Sequence, residues 1–346
     1  MDNLTHSLTG LAIARCGTNE ISPRATLLLL LSANAPDIDI AAAPWGALRY
    51  LEVHRGYTHC LLGLPFMAAL CVLVTAAIYR QRLPWLRAWL LCCVGVASHL
   101  LLDWTNSYGV RLFLPFSPGW AHLDINSLTD GVILIVLSMA AIWPWFAGLV
   151  SGEIGSRQKP RVRATSVAAL MFFMAFDAGR MALHQRAVTE LNSRVYDEAV
   201  PRKAAALPTM FNPFLWTGIV ETDDSFVEIG VRALHELDPD EAKIMHKQPF
   251  TPAIEAARNT EAFRYFQYFA RFPVWTEEPV ILPNEPAARV ELTDLRFGSL
   301  GAGSFHCVAL VDRAGRVMES MFAFGSGGGA RKPPRVTYPP HNKRVP

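Results

Sequence analysis

Long apolar runs separated by short polar stretches fill the first half of the chain, and the alternation stops near residue 183. The run 60–79 carries no charge, 88–103 is Leu-rich, 131–150 is uncharged despite Pro144, and 164–183 is interrupted only by Asp177 and Arg180. A helix of about 20 apolar residues crosses a bilayer, so these runs predict a multi-pass bundle. Asp177 and Arg180 are three apart and opposite in charge, which predicts a pair on one helix face. The segments 2–15 and 25–36 are apolar but too short to cross; they predict short helices packed within the bundle. Asp2 or Asn3 can cap the first, and Pro36 stops the second. From residue 184 the pattern changes. Residues 214–234 alternate around Thr222-Asp223-Asp224-Ser225, which predicts a hairpin. A helical pattern covers 252–272, and 287–297 and 305–324 read as strands, the latter turning at Asp312-Arg313-Ala314-Gly315. The predicted fold class is therefore a multi-pass α-helical membrane domain followed by a soluble α+β domain. The expected domains are 1–183, 184–325 and a disordered, Gly-, Pro- and Lys/Arg-rich tail at 326–346.

Composition sharpens this. Of 346 residues, 51% are hydrophobic and 18% charged, with a mean hydropathy of +0.21, too apolar for an ordinary soluble enzyme. A net charge of +2 indicates no nucleic-acid partner. Four of the six cysteines lie in apolar runs and none is in a CxxC spacing, so neither a disulfide framework nor thiolate-bound zinc is signalled. The N-terminus lacks the layout of a cleaved signal peptide. Positive charge collects in 80–87 and 151–163, which predicts that both loops are cytoplasmic and that the α+β domain lies outside. His54 and His59 then enter the membrane from the outer side, and His99 and Asp103 leave at that side. Asp37 and Asp39 join them if 25–36 also runs outward.

These polar residues carry the candidate chemistry. His99 and Asp103 are four apart and share a helix face. Within a membrane helix such a pair is costly unless it is paired, hydrated or bound to a cation. A structural His–Asp hydrogen bond and a metal site are both open readings. His54 and His59 flank Arg55 at a helix entrance, a way to present imidazoles to one ion. Imidazoles and carboxylates without thiolates suit Zn²⁺, Mn²⁺ or Fe²⁺, and His6, Asp37, Asp39, His54, His59, His99 and Asp103 outnumber the ligands of one four-coordinate ion. Two or more ions are expected, or some of these side chains orient others. Such a site suits hydrolysis by metal-activated water. Arg55 is expected to hold a phosphate or oxyanion, and His54 or Asp39 to act as base or orienter.

The motifs MDNLTHSLTG, PDID, HRGYTH and SHLLLDWTNSYG, in that order, resemble the YdjM family of membrane-bound, metal-dependent hydrolases. ELTDLRFGSL and the strands after it resemble the outer domain of longer members. The family is distantly similar to zinc-dependent phospholipase C and P1 nuclease. The resemblance implies His6, Asp37, His59, His99 and Asp103 as metal ligands, with His54 and Asp39 next. It implies a hydrolase of the cytoplasmic (inner) membrane and identifies no substrate; the location of the residues, at the outer-leaflet boundary where membrane lipid head groups are met first, predicts a phosphoester or other ester of a lipid or small molecule. The alternative is a metal-ion transporter or metal-sensing membrane protein, for which polar residues are expected at several membrane depths.

Overall fold

The computed structural model describes the chain apart from residues 81, 154–160, 239–240, 282–285, 300–301 and 326–346. The expected tail, and Lys159 of the second basic loop, lie outside the described residues. The chain forms two compact units, Met1–Lys247 and Gln248–Pro346.

The first unit begins with α1 (Asn3–Arg15), capped by Asp2, whose carboxylate accepts Thr5 N–H at 3.0 Å. Helix α2 (Ala25–Ser32) is short, because Asn34 and Pro36 divert the chain into a 3-10 segment, Ala35–Trp45. Next come α3 (Ala47–Val53), a 3-10 turn at Tyr57–His59 and α4 (Leu64–Tyr79). Three long helices complete the bundle: α5 (Trp85–Thr105), α6 (Gly131–Glu153) and α7 (Val162–Asn192). By length and apolarity α5, α6 and α7 can each cross a membrane. The expected straight crossing at 60–79 is shorter: α4 starts at Leu64, and its 16 residues rise only about 24 Å against a hydrocarbon thickness of about 30 Å. The segment before it, Ala47–His59, is bent from it by 87°, and α2 is bent from the following 3-10 segment by 42°. Two broken helix pairs thus stand where the sequence pattern shows one short apolar segment, 25–36, and one full crossing, 60–79.

Leu28, Ala68, Val72, Cys92, Val96 and Leu100 form a buried core between α2, α4 and α5. A second core, with Ala12, Leu102, Ile133, Leu137 and Ala169, joins α1, α5, α6 and α7. Ile135, Met139, Ile142 and Trp143 of α6 are exposed, as befits a helix apolar all round.

Helix α7 does not end with its apolar run. It continues to Asn192, and its last turns bury Ala187 and Leu191 against Trp216, Val227 and Ile229 of an antiparallel sheet. That sheet is a meander of β1 (Lys203–Pro208), β2 (Leu215–Glu221), β3 (Ser225–Arg232) and β4 (Lys243–His246). The β2–β3 hairpin turns at Thr222–Ser225 as the sequence predicts. The break between units therefore falls at Lys247–Gln248, whereas the sequence pattern marks 183, inside α7. Arg180 and Asp177 also differ from expectation. Arg180 pairs with Asp130, just before α6, at 3.1 Å and lies over the Trp216 ring, while Asp177 accepts from Asn126 Nδ2 at 2.9 Å.

The second unit packs α8 (Pro252–Arg258) and α9 (Glu261–Phe269) on an antiparallel sheet. Its four main strands are β5 (Pro273–Ile281), β6 (Pro286–Asp294), β9 (Phe305–Asp312) and β10 (Val317–Phe324), in the order β10-β9-β6-β5. A two-residue ladder, β7 (Gly298–Ser299) with β8 (Ala302–Gly303), lies between β6 and β9. Phe263, Phe266, Phe269 and Phe272 fill the core. Cys307 is buried there, and burial pushes its thiol above the ordinary range. All six cysteines are free.

Candidate metal centre

Four chain segments converge at one end of the helical bundle. Helix α1 brings His6, the 3-10 segment after α2 brings Asp37 and Asp39, the turn between α3 and α4 brings His54 and His59, and the last turns of α5 bring His99 and Asp103. Close backbone approach makes this possible. A Cβ at Gly95 would lie 2.0 Å from Ser32 Oγ, and a Cβ at Gly10 would lie 2.9 Å from both Leu29 O and Ala33 Cβ. These glycines let α5 and α1 clasp the end of α2, and each stands one helical turn from a site histidine.

The hydrogen bonds fix which nitrogen each imidazole presents. His99 Nδ1 lies 2.7 Å from Ala33 O. A carbonyl only accepts, so Nδ1 carries the proton and neutral His99 presents a lone pair at Nε2. His59 Nδ1 lies 3.2 Å from Asp39 Oδ2 and 2.9 Å from Thr58 Oγ1, whose hydroxyl donates to Asp39. Its Nδ1 is likewise the donor, and Nε2 carries the lone pair. The two Nε2 atoms are 3.1 Å apart. Asp37 Oδ1 is 3.4 Å from that of His59 and 3.6 Å from that of His99. Asp103 Oδ2 is 3.5 Å from each. With both imidazoles neutral, four acceptor atoms face one another with no proton among them, and Asp103 Oδ2 has no hydrogen-bond partner of its own. A cation resolves this arrangement. Ligand atoms about 2.0–2.1 Å from a tetrahedral zinc are about 3.3 Å from one another, which matches the observed spacing.

His6 lies beside this quartet. Its ring stacks on His99 at 3.8 Å, its Nε2 is 3.5 Å from Asp103 Oδ1, and both its nitrogens are buried without a hydrogen-bond partner. The residues that can share an ion fall into three overlapping sets: His6, His99 and Asp103; Asp37, His59 and His99; and Asp37, Asp39 and His54. All five ligands implied by the family resemblance are thus brought together, as are His54 and Asp39.

Asp39 has the surroundings of an orienting group. Oδ1 accepts from His54 Nδ1 at 2.9 Å, and Oδ2 accepts the Arg55 backbone N–H at 2.9 Å as well as Thr58 and His59. His54, held between Asp39 and the stacked Tyr50 ring at 4.7 Å, is left with Nε2 as its uncommitted nitrogen. Its ring centre is 5.8 Å from that of His59.

Arg55 differs from the sequence expectation. Its guanidinium is turned inward: Nη2 donates to Asp103 Oδ1 at 2.9 Å, and Nη1 donates to Asn106 Oδ1 at 3.0 Å and Gly109 O at 3.1 Å. Tyr108 lies beneath it at 4.6 Å. A backbone φ of 55° places Arg55 in the left-handed region, a costly conformation for a residue with a Cβ. Its N–H bond to Asp39 and its side-chain bonds oppose that cost. The α-amino group of Met1 also contacts Asp103. Asp103 thus meets one guanidinium and one amine, while Asp37 and Asp39 have imidazoles as their ion-pair partners.

Sequence reasoning overlooked Thr58, Asn106 and Ala33. Asn106 accepts from Arg55, from Tyr108 N–H at 2.9 Å and from Gly109 N–H at 3.4 Å, and so folds the loop after α5 over the site. Its signal was the Asn-Ser-Tyr-Gly cluster directly after the helix. Ala33 contributes only a carbonyl, for which a sequence carries no signal. His122 and Asp124 lie 3.2 Å apart as a pair of their own, outside the three sets.

A bundle of apolar helices with imidazoles and carboxylates buried at one end defines a multi-pass membrane protein with His and Asp groupings that could hold a metal ion. No solved structure matches the chain. The chain belongs to the YdjM inner membrane protein family, whose pattern it matches over residues 1–183. It is similar to the inner membrane protein YbcI of Escherichia coli (strain K12), at 34% identity over 162 residues, covering 42% of this chain and 92% of YbcI. It is also similar to the uncharacterized protein YfhP of Bacillus subtilis (strain 168), at 26% identity over 206 residues, covering 57% of this chain and 59% of YfhP.

Proposed function

We propose that this protein is a membrane-bound, metal-dependent hydrolase that cleaves a phosphoester or other ester of a lipid or envelope substrate. The supporting observation is the meeting of His59 Nε2, His99 Nε2, Asp37 Oδ1 and Asp103 Oδ2 without an intervening donor. Zn²⁺, with Mn²⁺ or Fe²⁺ as alternatives, would be held by these groups together with His6, and when bound it acidifies water and polarises an ester oxygen. The chain's own residues supply the rest. Ala33 O and Asp39 fix the tautomers of His99 and His59. Arg55 holds Asp103 in place and offsets part of the carboxylate charge. Asp39 orients His54, whose Nε2 takes a proton from the attacking water and returns one to the leaving oxygen.

The competing reading is a metal-ion transporter or sensor. An ion path needs polar residues at successive depths. Among the described residues the first two sets share His99 and the last two share Asp37, so that they make a single cluster, which favours a fixed site. Purified protein decides between them. Divalent metal is expected by elemental analysis, with chelator-sensitive release of alcohol or phosphate from a panel of aryl esters, phosphoesters and phospholipids. Metal-loaded protein that cleaves none of the panel but moves divalent ions into liposomes would establish the transporter.

A further inference from the structure

We propose that the metal centre opens toward the bilayer rather than toward bulk water, and that its substrate is an amphiphile whose tail stays in the membrane while its head enters past Asp37 and His54. This rests on the hydrolase reading above and narrows its substrate class.

Exposure within the site is one-sided. The side chains of His6, His59, His99, Asp39 and Asp103 are at most 1% accessible, whereas Asp37 is 18% and His54 14% accessible. A ligand can therefore approach only along the edge that Asp37 and His54 form. That edge is bordered by apolar side chains facing outward. In the 3-10 segment Asp37 and Asp39 turn inward while Ile38 and Ile40 are 55% and 64% exposed. Trp45, at the end of that segment, is 74% exposed, and Tyr57, between His54 and His59, is 67% exposed.

An aqueous mouth would bring these side chains into water, at roughly 25 cal/mol for each Å² of apolar surface. At the membrane interface the same side chains are favoured, Trp and Tyr most of all. Two features place the rim there. It is carried by the two bent helix pairs, whose broken segments turn 42° and 87° away from α2 and α4. Helix α4, which follows the second bent segment, also carries outward apolar side chains: Phe66, Leu73 and Ile78 are more than half exposed. Irregular backbone at membrane depth is tolerated where it lines a cavity, and the bends of both pairs are where the ligands sit. A water-soluble substrate would have to cross this rim against its own solvation. An amphiphile already in the leaflet has its head beside Asp37 and His54.

The test uses full-length protein in vesicles of phosphatidylethanolamine and phosphatidylglycerol, with the half-buried Cys16 and Cys93 changed to serine. A spin label on Ile40→Cys or Trp45→Cys is expected to collide with oxygen, which partitions into lipid, in preference to a water-soluble nickel chelate. The wild type is expected to cleave a long-chain ester within the bilayer at least tenfold faster than its short-chain, water-dispersed analogue. Ile38→Asn with Ile40→Asn should bring that ratio down about tenfold with metal content unchanged. A nickel-accessible label, or equal cleavage of both esters, overturns the bilayer entrance and leaves the hydrolase reading intact. A lipid-embedded label with neither ester cleaved overturns the hydrolase reading, and the rim then remains as the side on which the site meets lipid.

Discussion

His99 Nε2 and Asp103 Oδ2 are the atoms these two residues turn toward the proposed ion, so each should be indispensable for binding it. His99→Ala and Asp103→Ala are expected to purify with little divalent metal and to unfold at lower temperature, since binding to the folded state alone stabilises it. Full occupancy in both would remove the metal assignment. Asp39 contributes differently. It orients His54 and His59, so Asp39→Asn should keep the ion but weaken its affinity about 10–100-fold in a chelator competition, the usual effect of losing an orienting partner. Arg55 holds a buried carboxylate, and Arg55→Ala would leave Asp103 without its cation. A loss of about 3–5 kcal/mol is expected, read as a large fall in thermal stability. Arg55→Lys should recover only part, because an ammonium cannot span Asp103, Asn106 and Gly109 together. Unchanged stability and metal content with lost activity would return Arg55 to the substrate-holding role that its place in HRGYTH suggests. The histidines and aspartates were legible in the sequence because their residue types are costly in apolar runs. The direction in which Arg55 points was not, because it depends on Asn106 and Gly109, more than fifty positions away in the chain.

Helix α2 is the element on which the site is assembled. Gly95→Ala would drive a methyl group to 2.0 Å from Ser32 Oγ and is expected to cost about 1–3 kcal/mol, as overpacking does. It should lower metal occupancy as well, since it pushes His99 away from Ala33 O. Adding Ser32→Gly should restore much of both, and failure of this rescue would show that the close approach of α5 to α2 does not set the site. The apolar runs announced α5, α6 and α7 because length and lack of charge suffice for a straight span. They did not announce the breaks. The run 60–79 reads as one helix, yet Gly63 and Pro65 hold its first turn in another direction. The apolar run ends at 183, nine residues before α7 does. Hydropathy falls there, but the helix goes on because Ala187 and Leu191 bury against Trp216, a long-range contact that overrides the local pattern. Arg180 likewise has Asp177 as its nearest opposite charge in the sequence, while the fold supplies Asp130, the residue before α6.

Across the whole molecule, orientation is the property that most needs measurement. Helix α7 has 31 residues and so rises about 46 Å, more than the roughly 30 Å of hydrocarbon. Its surplus length carries the β1–β4 sheet beyond the membrane, at the end where α6 begins. Basic residues such as Arg82 lie at the other ends of the helices, which predicts that they face the cytoplasm. Cysteine placed at Asp223, an exposed residue of the β2–β3 turn, is expected to react with an impermeant maleimide in intact cells, whereas Arg82→Cys should not. The opposite result would turn the protein over in the membrane. The spread of the ligands along the chain sets an order of events during synthesis. His6 leaves the ribosome before Asp103, and at about 5–20 residues per second the interval is roughly 5–20 s. Throughout it, the first helices carry their imidazoles and carboxylates into the bilayer without the partners that complete the quartet. Only the arrival of α5 would let the proposed ion close the ring, so that ion would serve as the final fastening of an already inserted chain. A cell short of that ion would accumulate inserted but unfastened protein, open to its membrane proteases.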